Sequence, residues 1–181
     1  AAQVAWGPYN ADFPAGGDGL SRPLAGKVQG DVLQAGGPWS IHGWVQASEA
    51  ASGPSLVAGL GDPAAGGRFL TIDGAAFGVW AGGQALNVKA AIKPGDWRFV
   101  AAVSDGAKVT LYVDGAPVGE APAAVVVTSA VISLAPRKVV GFMPFAGRLA
   151  DVSAEDHVLS AAEIKALAAR KPDPLTVYES G

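Results

Sequence analysis

Three aromatic side chains lie on predicted strands, each on the face opposite the aliphatic residues: Trp44, Trp80 and Tyr112. His42 and Gln46 share the face of Trp44, because side chains alternate along a strand with a period of two. Sugars stack their flat C–H faces on indole and phenol rings, and neighbouring polar groups bind their hydroxyls. These five residues are therefore candidate carbohydrate contacts. The alternative is that loops or terminal segments cover these faces and bury the rings.

The acidic residues are poorly spaced for the hydrolysis of sugars. Glycosidases use two carboxyl groups ~5–5.5 Å or ~6.5–9.5 Å apart, and residues i and i+2 of one strand would provide about 6.6 Å. No two acidic residues of this sequence are two positions apart. Asp151 and Glu155 share a strand face, but an extended chain would separate them by roughly 13 Å. We therefore expect no catalytic residues, with a pair assembled from distant strands as the alternative.

Composition argues against several other classes of function. The 181 residues include 13 basic and 16 acidic side chains, giving a net charge of −3, and no run of basic residues. Nucleic acids and anionic membranes bind clustered cations, so we expect neither as a partner. No apolar stretch approaches the roughly 20 residues of a membrane-spanning helix. The sequence has no cysteine, which excludes disulfides and thiolate metal sites.

Turn signals divide most of the chain into short strands. In residues 97–119, Asp105-Gly106 and Asp114-Gly115 separate three apolar runs, and Asp-Gly favours tight hairpin turns. The flanking runs alternate with the period of two typical of strands, so they predict an antiparallel meander. Trp6 and Tyr9 are expected to pack an N-terminal segment onto a sheet. Further strands are predicted at residues 39–46, 68–72, 76–80, 86–90, 125–127, 131–134 and 149–152.

A single short helix is predicted near the C-terminus. Ser160 and Glu163 form a capping box, in which each side chain accepts a hydrogen bond from the backbone N–H of the other residue. Leu159 and Ile164 occupy the positions of a hydrophobic staple around this start. Pro172 marks the end, because proline cannot continue a helix.

Five motifs of this sequence, taken in order, resemble one family. They are Trp39–Val45, Trp97–Ala101, Val109–Gly115 (which includes Leu-Tyr-Val-Asp-Gly), Phe145–Val152 and Leu159–Ile164. Residues 36–167, which contain them, resemble the laminin-G-like, concanavalin A-like lectin and glucanase family. The resemblance and the strand pattern together predict an all-β fold: a two-sheet antiparallel jelly-roll sandwich with one short C-terminal helix.

The resemblance also raises the question of a metal. Many members of the family bind a structural calcium, and the first acidic position of the closing strand often matters there. Ala150 occupies that position here, and only the next residue, Asp151, is acidic. We therefore assign no metal ligand and expect no cofactor, with a structural calcium as the alternative.

The predicted organisation is a laminin-G-like domain over residues 1–171, followed by an exit segment or linker over residues 172–181. Leu175–Tyr178 has an alternative role as a strand at a sheet edge of the same domain. By analogy of fold, the expected function is a non-catalytic carbohydrate-binding or adhesion module. Its expected partners are a polysaccharide or oligosaccharide and a neighbouring catalytic domain. Its expected location is secreted or periplasmic. The alternatives are a polysaccharide-cleaving glycosidase of this fold and a structural sandwich that binds another protein.

Overall fold

A computed structural model of the chain describes residues 3–5, 10–14, 19–23, 37–48, 53–64, 66–123, 131–136, 139–172 and 176–179. The strand predicted at Val125–Val127 and the packing predicted for Trp6 and Tyr9 lie outside these residues. Within them, the elements are β1 (Gln3–Ala5), β2 (Asn10–Phe13), β3 (Leu20–Pro23), β4 (Trp39–Ala47), β5 (Pro54–Leu60), β6 (Arg68–Asp73), β7 (Ala76–Ala81), β8 (Gln84–Ala91), β9 (Arg98–Ser104), β10 (Lys108–Val113), β11 (Ala116–Pro122), β12 (Val131–Leu134), β13 (Gly147–Glu155), α1 (Ala161–Ala168) and β14 (Thr176–Glu179).

The strands form two sheets that pack face to face. The large sheet has eight strands in the order β11-β10-β9-β4-β13-β2-β14, with β1 also paired to β13. The small sheet has six, in the order β3-β12-β5-β6-β7-β8. Neighbouring strands are antiparallel, except that β14 runs parallel to β2. The predicted two-sheet sandwich with one short helix is therefore confirmed.

Alternating side chains of the large sheet are buried on both of its faces. Val100 and Ala102 of β9 and Leu111 of β10 point toward the small sheet and belong to the core between the sheets. Phe99 and Ala101 of β9 point the other way and are also buried. Fully burying a large apolar side chain contributes about 1.5–3 kcal/mol. The second buried face therefore requires a cover on the outside of the large sheet, and α1 with its preceding segment provides it.

Helix α1 begins at the predicted capping box. The Glu163 backbone N–H donates to Ser160 Oγ at 3.1 Å, and the Ser160 N–H donates to Glu163 Oε2 at 3.4 Å. Leu159 and Ile164 are buried at the start of the helix. They belong to a second apolar cluster on the outer face of the large sheet, here called the helix-side cluster: Trp44, Phe99, Ala101, Val103, Ala150, Leu159 and Ile164.

The last described strand belongs to the large sheet. β14 pairs with β2 through Thr176 and Asn10, Tyr178 and Ala11, and Glu179 and Asp12. This pairing agrees with the edge-strand alternative for the C-terminal segment. The division of the chain at residue 172, and any further domain beyond it, stay predictions.

Deleting residues 173–181 is expected to lower the melting temperature by several degrees. The deletion removes β14 and exposes the edge of β2, and about 1 kcal/mol corresponds to ~2–4 °C in a chain of this size. Thermal unfolding followed by circular dichroism measures the change. Deleting only residues 180–181 is the matched control, because it leaves β14 intact. An unchanged melting temperature in the longer deletion would favour the linker interpretation.

Candidate functional site

The five predicted contact residues do not form one site. Trp44, His42, Tyr112 and Gln46 lie on the large sheet, whereas Trp80 lies on β7 of the small sheet. The inward-facing residues of both sheets fill the core between them, so Trp80 lies on the opposite side of the sandwich from Trp44. Each face therefore has to be assessed separately.

Trp44 is covered rather than open to ligands. Its residue is 3% exposed, and its ring meets Phe99 edge-on with ring centroids 5.7 Å apart. Lys171, just after α1, places its Nζ atom 5.5 Å from the centre of the Trp44 ring. Tyr112 is half-buried against the same helix-side cluster. Burial of the rings was the alternative interpretation of the sequence, and Trp44 is indeed buried.

His42 lies at the buried end of a polar chain whose centre is Glu155. Its Nε2 is 2.7 Å from Glu155 Oε1, and Glu155 Oε2 is 3.2 Å from His157 Nε2. The His42 and Glu155 side chains are 4% and 7% exposed. Ser40 Oγ donates to the His157 carbonyl at 2.7 Å and accepts from the Leu159 N–H at 3.2 Å. These bonds hold the segment before α1 against β4. His42 therefore makes a buried structural contact with Glu155 and is not open to a ligand.

Asp151 lies in an irregularity of β13 close to this chain. The register of β13 on β4 shifts between Ala150 and Ser153, and Asp151 has a φ of 51°. Non-glycine residues rarely adopt this left-handed conformation, although Asp and Asn tolerate it best. Burial raises the pKa of the Asp151 carboxyl, while the charges of Arg170 and His42 act in the opposite direction. The bulge therefore places a partly buried carboxyl group near Arg170, which follows the end of α1.

Gln46 lies near the C-terminal end of β4, in an open polar depression. Its Nε2 donates to the Gly95 carbonyl at 3.0 Å. Asp12, Ser48 and Arg148 line the same depression, and Arg148 Nε lies 3.9 Å from Asp12 Oδ1. This depression contains no aromatic ring among its described lining residues, so it lacks a stacking surface.

Trp80 lines a more enclosed depression, here called the Trp80 groove, on the outer face of the small sheet. The groove has a volume of about 300 Å³, at the lower end of the roughly 300–1,000 Å³ of ligand pockets. Its described lining residues are Pro54, Thr71, Asp73, Ala76, Gly78, Trp80, Ala85, Lys89, Val140, Gly141 and Phe142.

The hairpin of β6 and β7 positions the floor and one wall of this groove. Thr71 pairs with Gly78, and the next pair on the same face is Asp73 with Ala76. The small side chains leave space above the sheet beside Trp80. A Cβ atom at Gly78 would lie 3.2 Å from Thr71 Oγ1, so glycine keeps this part of the floor low.

Two contacts fix the Trp80 ring. Its Nε1 donates to the Pro63 carbonyl at 2.6 Å. The Phe142 ring meets it edge-on, with ring centroids 4.9 Å apart and an interplanar angle of 90°. Edge-to-face packing at this distance is a favourable aromatic geometry. The indole is therefore held in place, partly exposed, at the side of the groove.

Polar groups complete the groove. Thr71 offers a hydroxyl, and Lys89 Nζ lies 3.9 Å from Asp73 Oδ2. Both charged side chains are about half exposed, at 58% and 48%. An indole together with a hydroxyl, a carboxylate and an ammonium can stack a ring and bind its hydroxyl groups.

A comparison with models of known protein families shows which family this chain belongs to. A family model described as the concanavalin A-like lectin/glucanases superfamily matches residues 25–165, which is most of the sequence. The chain belongs to this laminin-G-type, concanavalin A-like superfamily. A comparison with curated proteins found no match.

Solved structures resemble this concanavalin A-like domain at low sequence identity. The Trypanosoma rangeli sialidase, solved in complex with 2,3-difluoro-KDN, is 17% identical with a TM-score of 0.62, over 84% of this chain and 26% of that chain. The botulinum neurotoxin serotype D binding domain is 12% identical with a TM-score of 0.68, over 88% and 42%. The serotype G binding domain is 12% identical with a TM-score of 0.68, over 88% and 41%. The similarity therefore shows the fold, and this chain spans less than half of each of these chains.

Sequence reasoning missed most residues of the Trp80 groove in this concanavalin A-like domain. The Asp73-Gly74 turn fixes the hairpin register, so Thr71 and Asp73 could have been placed on the face of Trp80. Phe142 lies in a loop 62 positions away, and no local pattern indicates its contact. The i and i+2 spacing of Glu155 and His157 was a signal for the buried chain.

Neither a metal centre nor a membrane-spanning helix is found in the part of the chain that the structure describes. No three His, Cys, Asp or Glu residues there converge to hold a metal ion. No helix there is long and apolar enough to cross a membrane.

Proposed function

We propose that this domain is a non-catalytic carbohydrate-binding module and that the Trp80 groove is its binding site. One observation carries the proposal: a fixed, partly exposed indole shares a groove of about 300 Å³ with a hydroxyl, a carboxylate and an ammonium group. A stacking ring beside polar groups suits a sugar, because a sugar ring has an apolar face and a polar edge.

The arrangement of the groove allows both kinds of contact at once. A ring that stacks on Trp80 lies beside the floor formed by Gly78 and Ala76, whose side chains are small. Its hydroxyls then face Thr71, Asp73 and Lys89. Because Trp80 is already held by Pro63 and Phe142, little side-chain freedom is lost on binding.

The groove is poorly equipped for hydrolysis. Asp73 is the one carboxylate among its described lining residues, and glycosidases of the common kinds need two. Glu155, the carboxylate of the buried chain, is 5% exposed on the other side of the sandwich. This supports binding without catalysis over the glycosidase alternative.

The comparisons support a module that works beside another domain. The similar regions belong to a sialidase and to toxin binding domains, and each of those chains is more than twice as long as the part matched. We propose that this domain is accessory to a larger, secreted or periplasmic protein that acts on carbohydrate.

Replacing Trp80 with alanine is expected to weaken binding at least tenfold, or about 1.4 kcal/mol, because the stacking surface is lost. A glycan array with the wild-type chain identifies a ligand, and calorimetric titration then compares the variant. Trp80→Phe retains a stacking ring and should keep most of the affinity. Gln46→Ala, in the depression on the large sheet, is the matched control and should change nothing.

Two results would contradict the proposal. Absence of binding to every carbohydrate on the array would reject the groove as a sugar site. Release of reducing ends from a bound polysaccharide would show that the domain is a glycosidase.

A further inference from the structure

We infer that the Trp80 groove selects neutral sugars over sugars that carry a carboxylate or sulfate. This inference rests on the proposed function and specifies the class of ligand. It starts from the charges of the groove. Asp73 and Lys89 are the charged residues among its described lining residues, and their opposite charges cancel. Arg137 and Lys138, in the segment before Val140, lie outside the described residues.

The separation of the two charged groups suits hydroxyl recognition. Lys89 Nζ and Asp73 Oδ2 lie 3.9 Å apart, which is longer than a hydrogen bond. Each group therefore has hydrogen-bonding capacity directed elsewhere. Asp73 accepts hydrogen bonds, Lys89 donates them, and the Thr71 hydroxyl does both. Adjacent sugar hydroxyls, which also donate and accept, match this set without any ionic group.

An anionic sugar would meet opposing charges in the same groove. Any carboxylate or sulfate that approaches Lys89 Nζ also comes close to the Asp73 carboxylate, because the two lie within 4 Å. The Asp73 repulsion then offsets part of the attraction to Lys89, while the anion still loses water. The described lining residues contain no arginine, whose guanidinium binds carboxylates in a bidentate manner. The net charge of −3 adds no attraction at longer range.

The test compares matched ligands that differ in one acidic group. Suitable pairs are an oligosaccharide with and without a terminal sialic acid, and galactose oligomers against galacturonic acid oligomers. Titration of the full chain should give at least tenfold tighter binding of the neutral member. The affinity for the neutral member should also be nearly unchanged between 50 and 300 mM NaCl, since it involves no ion pair.

Two variants connect the preference to the charges. Asp73→Asn keeps the turn residue and removes the negative charge, so it should shift the preference at least fivefold toward the acidic member. Lys89→Gln should weaken binding of the neutral member and leave the acidic member disfavoured. Glu120→Gln, an exposed carboxylate on β11 of the other sheet, is the control and should leave the preference unchanged.

The outcomes separate this inference from the proposed function. Equal or tighter binding of the acidic member, with Trp80→Ala still weakening it at least tenfold, would overturn the inference and leave the binding site standing. An unchanged preference in Asp73→Asn would also overturn it. Failure of both members of every pair to bind would reject the proposed function, and the inference with it.

Discussion

Trp44→Ala is expected to lower the free energy of unfolding by about 3–5 kcal/mol, as truncations of buried aromatic residues do. Trp44 is 3% exposed and lies in the helix-side cluster, where its ring meets Phe99 edge-on. Removing it leaves a cavity beneath Leu159 and Ile164, which hold α1 on the large sheet. Urea unfolding followed by circular dichroism and tryptophan fluorescence measures the loss.

The matched control for this prediction is Trp80→Ala. Trp80 is partly exposed in the groove, so its removal should cost clearly less stability while it weakens binding of the sugar at least tenfold. Trp44→Ala should show the reverse: a large loss of stability, and near-normal affinity at a temperature where the variant is folded. A loss below about 1 kcal/mol for Trp44→Ala would mean that the helix-side cluster is not packed as described.

The elements that the sequence predicted well are those with local causes. Asp114 and Gly115 have φ values of 52° and 87°, the left-handed conformations that a tight Asp-Gly turn between two strands needs. The Ser160 and Glu163 capping box lies within four residues and is formed as expected. Such signals depend on neighbours along the chain and need no knowledge of the rest of the fold.

The fate of the aromatic rings depended on distant contacts instead. Trp44 and Trp80 both lie on strand faces opposite aliphatic residues, and the strand pattern treats them alike. Trp44 is buried because Leu159 and Ile164, more than 110 positions later, cover the large sheet. Trp80 stays partly exposed, with Phe142 packed perpendicular to its ring from a distant loop. Packing between distant segments, which periodicity does not encode, therefore decides which ring can contact a ligand.

The Trp80 groove shows the same limit of prediction from sequence, because some of its residues become neighbours only through the fold. The register of β6 and β7 was accessible from the Asp73-Gly74 turn, and with it the placement of Asp73 on the face of Trp80. Lys89 lies on the next strand, β8. The pairing register of β8 with β7 shifts between Gly78 and Trp80. A bulge of this kind changes which side chains are neighbours, and no single-sequence pattern locates it.

Removing the central carboxylate of the buried chain is expected to be as costly as removing Trp44. Glu155→Ala should lower the free energy of unfolding by about 3–5 kcal/mol, the typical cost of leaving one partner of a buried polar pair alone. His42 Nε2 is 2.7 Å from Glu155 Oε1, and His42 Nδ1 has no hydrogen-bond partner among the described residues. Without Glu155 the imidazole would be buried with neither ring nitrogen paired in that part of the chain.

A double-mutant cycle identifies the pair as the cause. The single variants of the cycle are His42→Leu and Glu155→Leu, each of which replaces a polar side chain by an apolar one. The double variant should lose less stability than the two single variants combined. The expected coupling lies within the roughly 0.5–3 kcal/mol typical of residues in contact. Lys108 and Glu120 provide the control cycle, because their 3.0 Å ion pair joins side chains that are 50% and 60% exposed. That cycle should show much weaker coupling, since water screens exposed pairs. Additive effects at His42 and Glu155 would show instead that the two side chains are tolerated independently, and that the contact does not hold the segment before α1 in place.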